Sequence, residues 1–439
     1  MTDGQRHVLI IAYYFPPMGL SGVQRTLKFA KYLPNFGWKP TVLTVGPTGY
    51  YAFDKSLLQE VDDHEIEVVR TTSLDPNRIF KSKGPVKMPP EWLRKALQYL
   101  GDLAFIPDTK IGWKRKALRA GAARLKRRKF DAIVATAPPQ TDFLIGLALK
   151  KKSKVPLVLE YRDEWLENPY KYFPTPLHRF LHKRLERKVV RGCDRIVVTH
   201  RRVKENLVKR YPFLTYHDVT IVSQGFDPKD FDQPVIPKSG PTDRMRIVHA
   251  GTFYGGRNPS VIMHALHNVF KASPHLRGRF ELNFAGNMRR EDQSLASKLG
   301  LQNAVNFLGY LEHRVCVKHL LEADLLWLVL ENDFQSPGKL YEYLGARKPV
   351  LASVPEGYLR QLIVESQAGV CVEPGDVKGH EEALVELLKQ FDQKKLPNPA
   401  EHVVEKFNRA ALTGVLAKLL ETLMDIDRNA ITRIEEQTT

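Results

Sequence analysis

Val8-Leu9-Ile10-Ile11-Ala12-Tyr13 leads into Phe15-Pro16-Pro17-Met18-Gly19-Leu20-Ser21-Gly22-Val23-Gln24-Arg25. The first stretch is uniformly apolar and short, as in a strand covered on both faces of a parallel sheet. The second is a loop of small residues and prolines that opens a helix. Val23, Leu27, Ala30 and Leu33 recur at helical spacing over Gly22–Phe36, and Gly37 stops the run. Further along, Pro40–Val45, Asp131–Ala135, Leu157–Glu160, Arg195–Thr199 and Thr220–Ser223 read as strands, with helices over Thr141–Lys151 and Leu177–Arg191. Strands alternating with helices imply a parallel, doubly wound α/β sheet.

The alternation stops at Asp232–Arg244, where Pro234, Pro237, Gly240 and Pro241 mark a linker, and then begins again. Arg246–Ala250, Phe280–Ala285, Val305–Leu308, Leu325–Leu330 and Pro349–Ala352 read as strands. Ser260–Phe270, Cys316–Glu322, Lys339–Leu344 and Glu381–Gln390 read as helices, and Arg409–Asp427 closes the chain. Two tandem Rossmann-like domains are expected, over 1–235 and 244–405, with ligands at the carboxyl ends of the strands in an interdomain cleft. Gly-x-Gly-x-x-Gly is absent, so the first loop is not the dinucleotide fingerprint. Its small residues suit either a plain structural turn or close approach of backbone N–H groups to a ligand.

The chain has 439 residues and a formal net charge of +18, with 43% hydrophobic and 10% aromatic residues. These values exclude a disordered or collagen-like chain and allow two sizeable cores. Cys193, Cys316 and Cys371 are too few and too widely spaced for a disulfide framework or a zinc site, so a reducing, cytoplasmic setting is expected. Met1–His7 is polar and the apolar run after it is too short for a signal-peptide core, so no secretory leader is expected. The charge has a location: residues 1–235 hold 42 Lys and Arg against 24 Asp and Glu, and the remainder 25 against 25. Lys110–Lys129 alone carries ten basic residues and no acidic one.

Three stretches carry a family resemblance. One is the first loop. Another is Gly251-Thr252-Phe253-Tyr254-Gly255-Gly256-Arg257-Asn258-Pro259, between a strand and a helix. The third is Ser336-Pro337-Gly338-Lys339-Leu340-Tyr341-Glu342-Tyr343-Leu344-Gly345-Ala346-Arg347-Lys348-Pro349-Val350. With Ala137-Pro138-Pro139, Tyr161-Arg162-Asp163-Glu164-Trp165 and Gly225-Phe226-Asp227, in that order along nearly the whole chain, they resemble retaining glycosyltransferases of family 4, which have the two-domain GT-B fold. The resemblance implies an enzyme that takes its sugar from a nucleotide-diphosphate donor with no metal or other cofactor. Negative charge then develops on a leaving diphosphate, which side-chain cations and a helix N-terminus can stabilise.

It also implies roles for particular residues. Arg257 and Lys339 contact the diphosphate; Gly251, Thr252 and the backbone N–H groups of Leu340 and Tyr341 line it; Glu342 bonds the ribose or pairs with Lys339 one helical turn away. Gly19 and Gly22 belong to the acceptor loop. Asp163 either approaches a sugar or pairs with Arg162, and Trp165 either stacks on a sugar or belongs to the core. Two positions depart from the family pattern: Phe334 stands where many members have Glu, and Gln140 where many have His. These departures keep open a protein that binds or epimerises a sugar nucleotide without transfer.

A basic acceptor domain suits a glycan or lipid-linked acceptor at the inner face of an anionic membrane, as in cell-surface polysaccharide or lipopolysaccharide synthesis. Lys110–Lys129 reads as a basic helix with an apolar stripe from Ile111, Trp113, Ala117, Leu118 and Leu125, and Glu91–Phe105 as its hydrophobic companion. Nucleic acid is the lesser alternative, supported by charge alone, since no aromatic RNA-binding pattern or zinc finger accompanies it.

Overall fold

The computed structural model describes residues 5–19, 21–46, 48–50, 52–76, 91–169, 171–232, 243–253, 257–334 and 337–438. They form two compact units, Met1–Ser223 with Arg409–Thr439, and Gln224–Asn408. Residues 224–232 thus belong with the second unit, and the Pro-rich residues 233–242 lie outside the described ones, as do Leu20, 254–256 and Ser336.

In the first unit β1 (Arg6–Ile11), β2 (Trp38–Val45), β3 (Glu67–Thr71), β4 (Ala132–Ala137), β5 (Leu157–Tyr161), β6 (Arg195–Val198) and β7 (Val219–Ile221) form a seven-stranded parallel sheet. Their order is β3-β2-β1-β4-β5-β6-β7. Helices α1 (Ser21–Tyr32), α2 (Lys55–Asp63), α3 (Glu91–Ala104), α4 (Lys114–Arg127), α5 (Thr141–Ser153), α6 (Pro176–Gly192) and α7 (Arg201–Arg210) accompany it. Val8–Ile11 are wholly buried, as their uninterrupted apolar run requires. The strand order reverses between β1 and β4, so the loops after them flank the switch point where such sheets take ligands.

The second unit repeats the plan. Strands β8 (Met245–Ala250), β9 (Phe280–Ala285), β10 (Val305–Gly309), β11 (Leu325–Val329), β12 (Val350–Ser353) and β13 (Gly369–Val372) form a six-stranded parallel sheet in the order β10-β9-β8-β11-β12-β13. Its helices are α8 (Pro228–Phe231), α9 (Ser260–Ala272), α10 (Arg290–Lys298), α11 (His313–Glu322), α12 (Gly338–Gly345), α13 (Tyr358–Glu365), α14 (Val377–Asp392) and α15 (Glu401–Val404). The switch point here lies between β8 and β11. The last helix, α16 (Arg409–Thr438), belongs to the first unit, where Leu412, Leu416, Leu420 and Leu423 join the core and Glu421 pairs with Arg6 at 2.7 Å. It runs past Asp427 because neither Gly nor Pro interrupts the remaining residues.

One expectation is corrected. The apolar stripe of the basic helix faces inward, not outward. Trp113 is wholly buried and its Nε1 donates to Thr71 Oγ1 at 2.7 Å. Ala117 and Gly121 of α4 are buried, Leu118 and Leu125 pack on the core, and Arg124 pairs with Glu67. What α4 leaves to solvent is charge without an apolar surface to insert.

Candidate active site

In the second unit the loop after β8 must pass close to two other segments, and glycine allows both approaches. Gly251 has φ 154°, and a Cβ there would run into the side chain of Lys339, whose Nζ would lie 3.0 Å away. Gly286, at the end of β9, has φ 146° and is packed against the Gly251 carbonyl group. Gly251 N donates to Ala285 O at 2.7 Å. Lys339 is therefore laid across the backbone of the β8 loop, a contact no side chain at position 251 would permit.

Lys339 is the second residue of α12, whose N-terminus has no side-chain cap. Lys339 is half-buried and has no ion-pair partner among the described residues; the Lys339–Glu342 pair does not form, and Glu342 is itself half-buried. Leu340 and Tyr341 are wholly buried, so only their backbones can face a ligand, and Leu340 N is 3.3 Å from Pro337 O. Thr252, which follows Gly251, is half-buried. Tyr343, farther along α12, ties the two flanks of the switch point together. Its hydroxyl accepts from Ala250 N at 2.9 Å and donates to Trp327 O at 3.3 Å.

Arg257 is 9% exposed and precedes α9, and Arg289, paired with Asp292, reaches its carbonyl at 3.4 Å. His249 reveals that Arg257 and Lys339 share one neighbourhood. Burial pushes this histidine down to about 3, and the charges of Lys339 and Arg257 push the same way. Its Nδ1 donates to Trp327 O at 2.9 Å, and its ring stacks on Phe253 at 4.6 Å. A neutral imidazole thus lies within electrostatic reach of two cations, one of them in the first turn of α12. This arrangement attracts an anion with more than one negative charge.

In the first unit Arg162 joins the loops of the switch point. Its guanidinium donates to Gly22 O and to Pro138 O, and its own N donates to Ala137 O at 2.9 Å. A Cβ on Gly22 would lie 3.0 Å from Arg162 Nη1. Arg162 therefore serves backbone carbonyls, and the alternative of a bonded Arg162–Asp163 pair is not realised. Asp163 is left half-buried with no hydrogen bond among the described residues, and burial raises its carboxyl above the usual range. Trp165 is core: it is wholly buried, with Nε1 donating to His182 Nδ1 at 2.9 Å.

Gly19 is buried and its N donates to Ala52 O at 2.8 Å, which makes its place in the loop a structural turn. Gln140 is also buried, and its Oε1 accepts from Lys171 Nζ at 3.3 Å. The N-terminus of α5, beside Gln140, is occupied by Asp108, which accepts from Thr141 N at 2.9 Å and Thr141 Oγ1 at 2.8 Å. Arg162 thus joins the Gly22 loop to the strand end that carries Asp163, while Gly19 and Gln140 each make a hydrogen bond within the first unit.

Several members of these sites have no local sequence signal. Asp108, Lys171 and Asp142 meet only in the fold; Asp142 is wholly buried, accepts from Tyr13 N at 2.8 Å and is raised well above the usual carboxylate range by burial. Arg25 is buried in a network with Glu160 (2.5 Å), Ser223 O (2.5 Å) and Val222 O (2.8 Å). Gly286 was legible only as a glycine ending a strand. Among the described residues no group of three or more His, Cys, Asp or Glu converges as a metal site, and no helix is long and apolar enough to cross a membrane.

Two family models match the chain. The model described as Glycosyltransferase Family 4 covers residues 21–230, and that described as Glycosyl transferases group 1 covers residues 244–390. No curated protein matches in sequence. Among solved structures, a glycosyltransferase from Rickettsia africae ESF-5 superposes with a TM-score of 0.64 at 15% identity, over 96% of this chain and 99% of that one. Sucrose-phosphate synthase from Thermosynechococcus elongatus gives 0.62 at 15% identity, over 96% and 100%. The Anabaena protein HepE, in complex with UDP-glucose, gives 0.62 at 15% identity, over 95% and 99%. At these identities the likeness speaks for the fold.

Proposed function

We propose that the chain, which has the GT-B fold, is a retaining glycosyltransferase. On this reading it moves a sugar from a nucleoside-diphosphate donor held by the second unit to a glycan or lipid-linked acceptor held by the first. The observation that carries the donor assignment is Lys339: a half-buried cation with no counter-ion among the described residues, draped over Gly251 at the N-terminus of α12, which has no side-chain cap. A buried charge left unpaired is costly, so the site is completed by an anion.

In the transfer step the anomeric carbon forms a bond to the acceptor hydroxyl oxygen as its bond to the diphosphate oxygen breaks. Charge accumulates on the leaving diphosphate, where Lys339, Arg257, the α12 terminus and the backbone N–H group of Tyr341 stabilise it. With that much positive charge supplied by the protein, no metal is required. Gly251 and Thr252 line the diphosphate, and Glu342 bonds the ribose. Departure and attack on one face retain the configuration, and the leaving phosphate oxygen takes the acceptor proton. Asp163, beside the Gly22 loop, orients the acceptor hydroxyl. The basic first unit suits a phosphate-bearing or membrane-bound acceptor, as in polysaccharide or lipopolysaccharide synthesis on the cytoplasmic face.

A UDP-sugar is the first donor to test, because the neighbour HepE is in complex with UDP-glucose. Lys339→Ala lowers transfer by two or more decades, in line with the roughly 10²–10³-fold cost of removing one donor to developing charge. Measuring kcat/KM against a panel of nucleoside-diphosphate sugars, with and without a chelator, checks this. Near-normal transfer by Lys339→Ala overturns the diphosphate assignment, and loss of activity with the chelator overturns the metal-free step.

A further inference from the structure

Helix α3 is exposed at every residue from Lys95 to Leu100, and three of its leucines face water: Leu97 is 54% exposed, Leu100 57% and Leu103 44%. Its C-terminal half adjoins the start of α6. The Tyr99 and Tyr172 rings lie 5.4 Å apart, and His178 Nε2 is 3.1 Å from Leu103 O. There α6 adds Leu177, 62% exposed, and Phe180, 57% exposed. Large apolar side chains spend little time in water without a reason, and a contiguous group of them marks an interaction surface.

What flanks this patch identifies its partner. Along the exposed side of α6, Arg179, Lys183, Arg184, Arg187, Lys188 and Arg191 follow Leu177 and Phe180, while Glu186, the one acid of the helix, is buried. Among the described residues only Arg179 of these has a carboxylate partner, Glu167 at 3.6 Å. Apolar side chains followed by an unneutralised cationic stripe complement an anionic lipid interface, where acyl chains lie beneath phosphate headgroups.

We propose that α3, Tyr172 and α6 form a membrane-docking face that seats the first unit on anionic phospholipid. The face adjoins the carboxyl end of the first sheet. Lys171, the neighbour of Tyr172, bonds Gln140 in the loop after β4 at 3.3 Å, and Asp102 of α3 feels the charges of Lys171, Asp108 and His178. An acceptor anchored in the bilayer would therefore enter beside that loop. This places the docking surface on α3 and α6, not on the more basic α4, and it rests on the lipid-borne acceptor reading given above.

The test is flotation of the full chain with phosphatidylcholine vesicles, with and without 30 mol% phosphatidylglycerol, at physiological salt. The protein floats with the anionic vesicles only. Leu177→Ser with Phe180→Ser weakens that binding at least tenfold. Lys183→Ala with Arg184→Ala and Arg187→Ala weakens it by roughly 100-fold and flattens its salt dependence. All these side chains are exposed, and an unchanged UDP-induced thermal shift shows that the variants remain folded. A wild-type chain that stays unbound overturns the proposal, as do variants that bind like wild type. So does a dimer, seen by light scattering, that the Leu177/Phe180 variant dissolves. Vesicle binding without any nucleotide response defeats the donor reading and leaves the docking face standing.

Discussion

Gly251→Ala probes how the donor cradle is built. At φ 154° an alanine backbone is strained, at a cost of order 1–3 kcal/mol. Its methyl group would also occupy the space of the Lys339 side chain, so the lysine must swing away from the loop. A charged hydrogen bond to phosphate contributes about 1.5–3 kcal/mol, and losing it lowers kcat/KM roughly 10- to 150-fold. The strain appears separately, as a fall in Tm of about 2–4 °C per kcal/mol. The decisive measurement is a double-mutant cycle with Lys339→Ala, read in kcat/KM and in affinity for nucleoside diphosphate. If Gly251→Ala acts by displacing Lys339, the double variant is scarcely worse than Lys339→Ala alone. Additive losses, or a Gly251→Ala enzyme with wild-type affinity, refute this coupling.

Other perturbations separate chemistry from scaffold. Asp163→Asn reduces transfer at least tenfold in a kinetic assay, yet raises Tm at neutral pH. Burial raises the folded-state pKa of this carboxyl, so ionisation is a cost present above the unfolded value and relieved as pH falls through the folded one; the advantage of Asn therefore vanishes in acid. Arg25→Met removes the ion-pair partner of the buried Glu160 and costs about 3–5 kcal/mol in urea denaturation. Glu186, pushed up to about 7 by burial despite Arg210 and Tyr211, makes stability decline as pH rises from about 4.5 to 7. Glu186→Gln, compared with wild type by denaturation across that range, removes the decline.

The interior of each sheet was legible because Val8–Ile11 of β1 and Leu325–Val329 of β11 are uninterrupted apolar runs, β4 and β8 are broken only by Thr136, Arg246 and His249, and a loop and helix follow most of them. The two strands that pattern reading passes over, β3 and β13, are both at sheet edges. There one lateral side lacks a neighbouring strand, so Glu67 and Arg70 can interrupt β3, and β13 shrinks to Gly369–Val372. The proposed donor motif could be read because Gly251, Arg257 and Lys339 each stand at a strand–helix junction. Asp108, Lys171 and Gly286 were not, because their roles arise from contacts between segments distant in sequence. The apolar stripe of α4 misled for a different reason: periodicity reveals that a helix has two faces and says nothing of which one meets the core. On α3 the same kind of pattern is left to solvent.

Tyr343 has a consequence for how the donor is received. By holding Ala250 on one side of the switch point and Trp327 on the other from a single hydroxyl, it fixes the orientation of α12 on the sheet. The helix that presents Lys339 is therefore preorganised, and no substrate binding energy is diverted to assembling it. Donor capture should then resemble docking into a finished mould, with an association rate insensitive to which sugar the nucleotide carries. Discrimination between sugars falls to contacts made after the diphosphate has already seated.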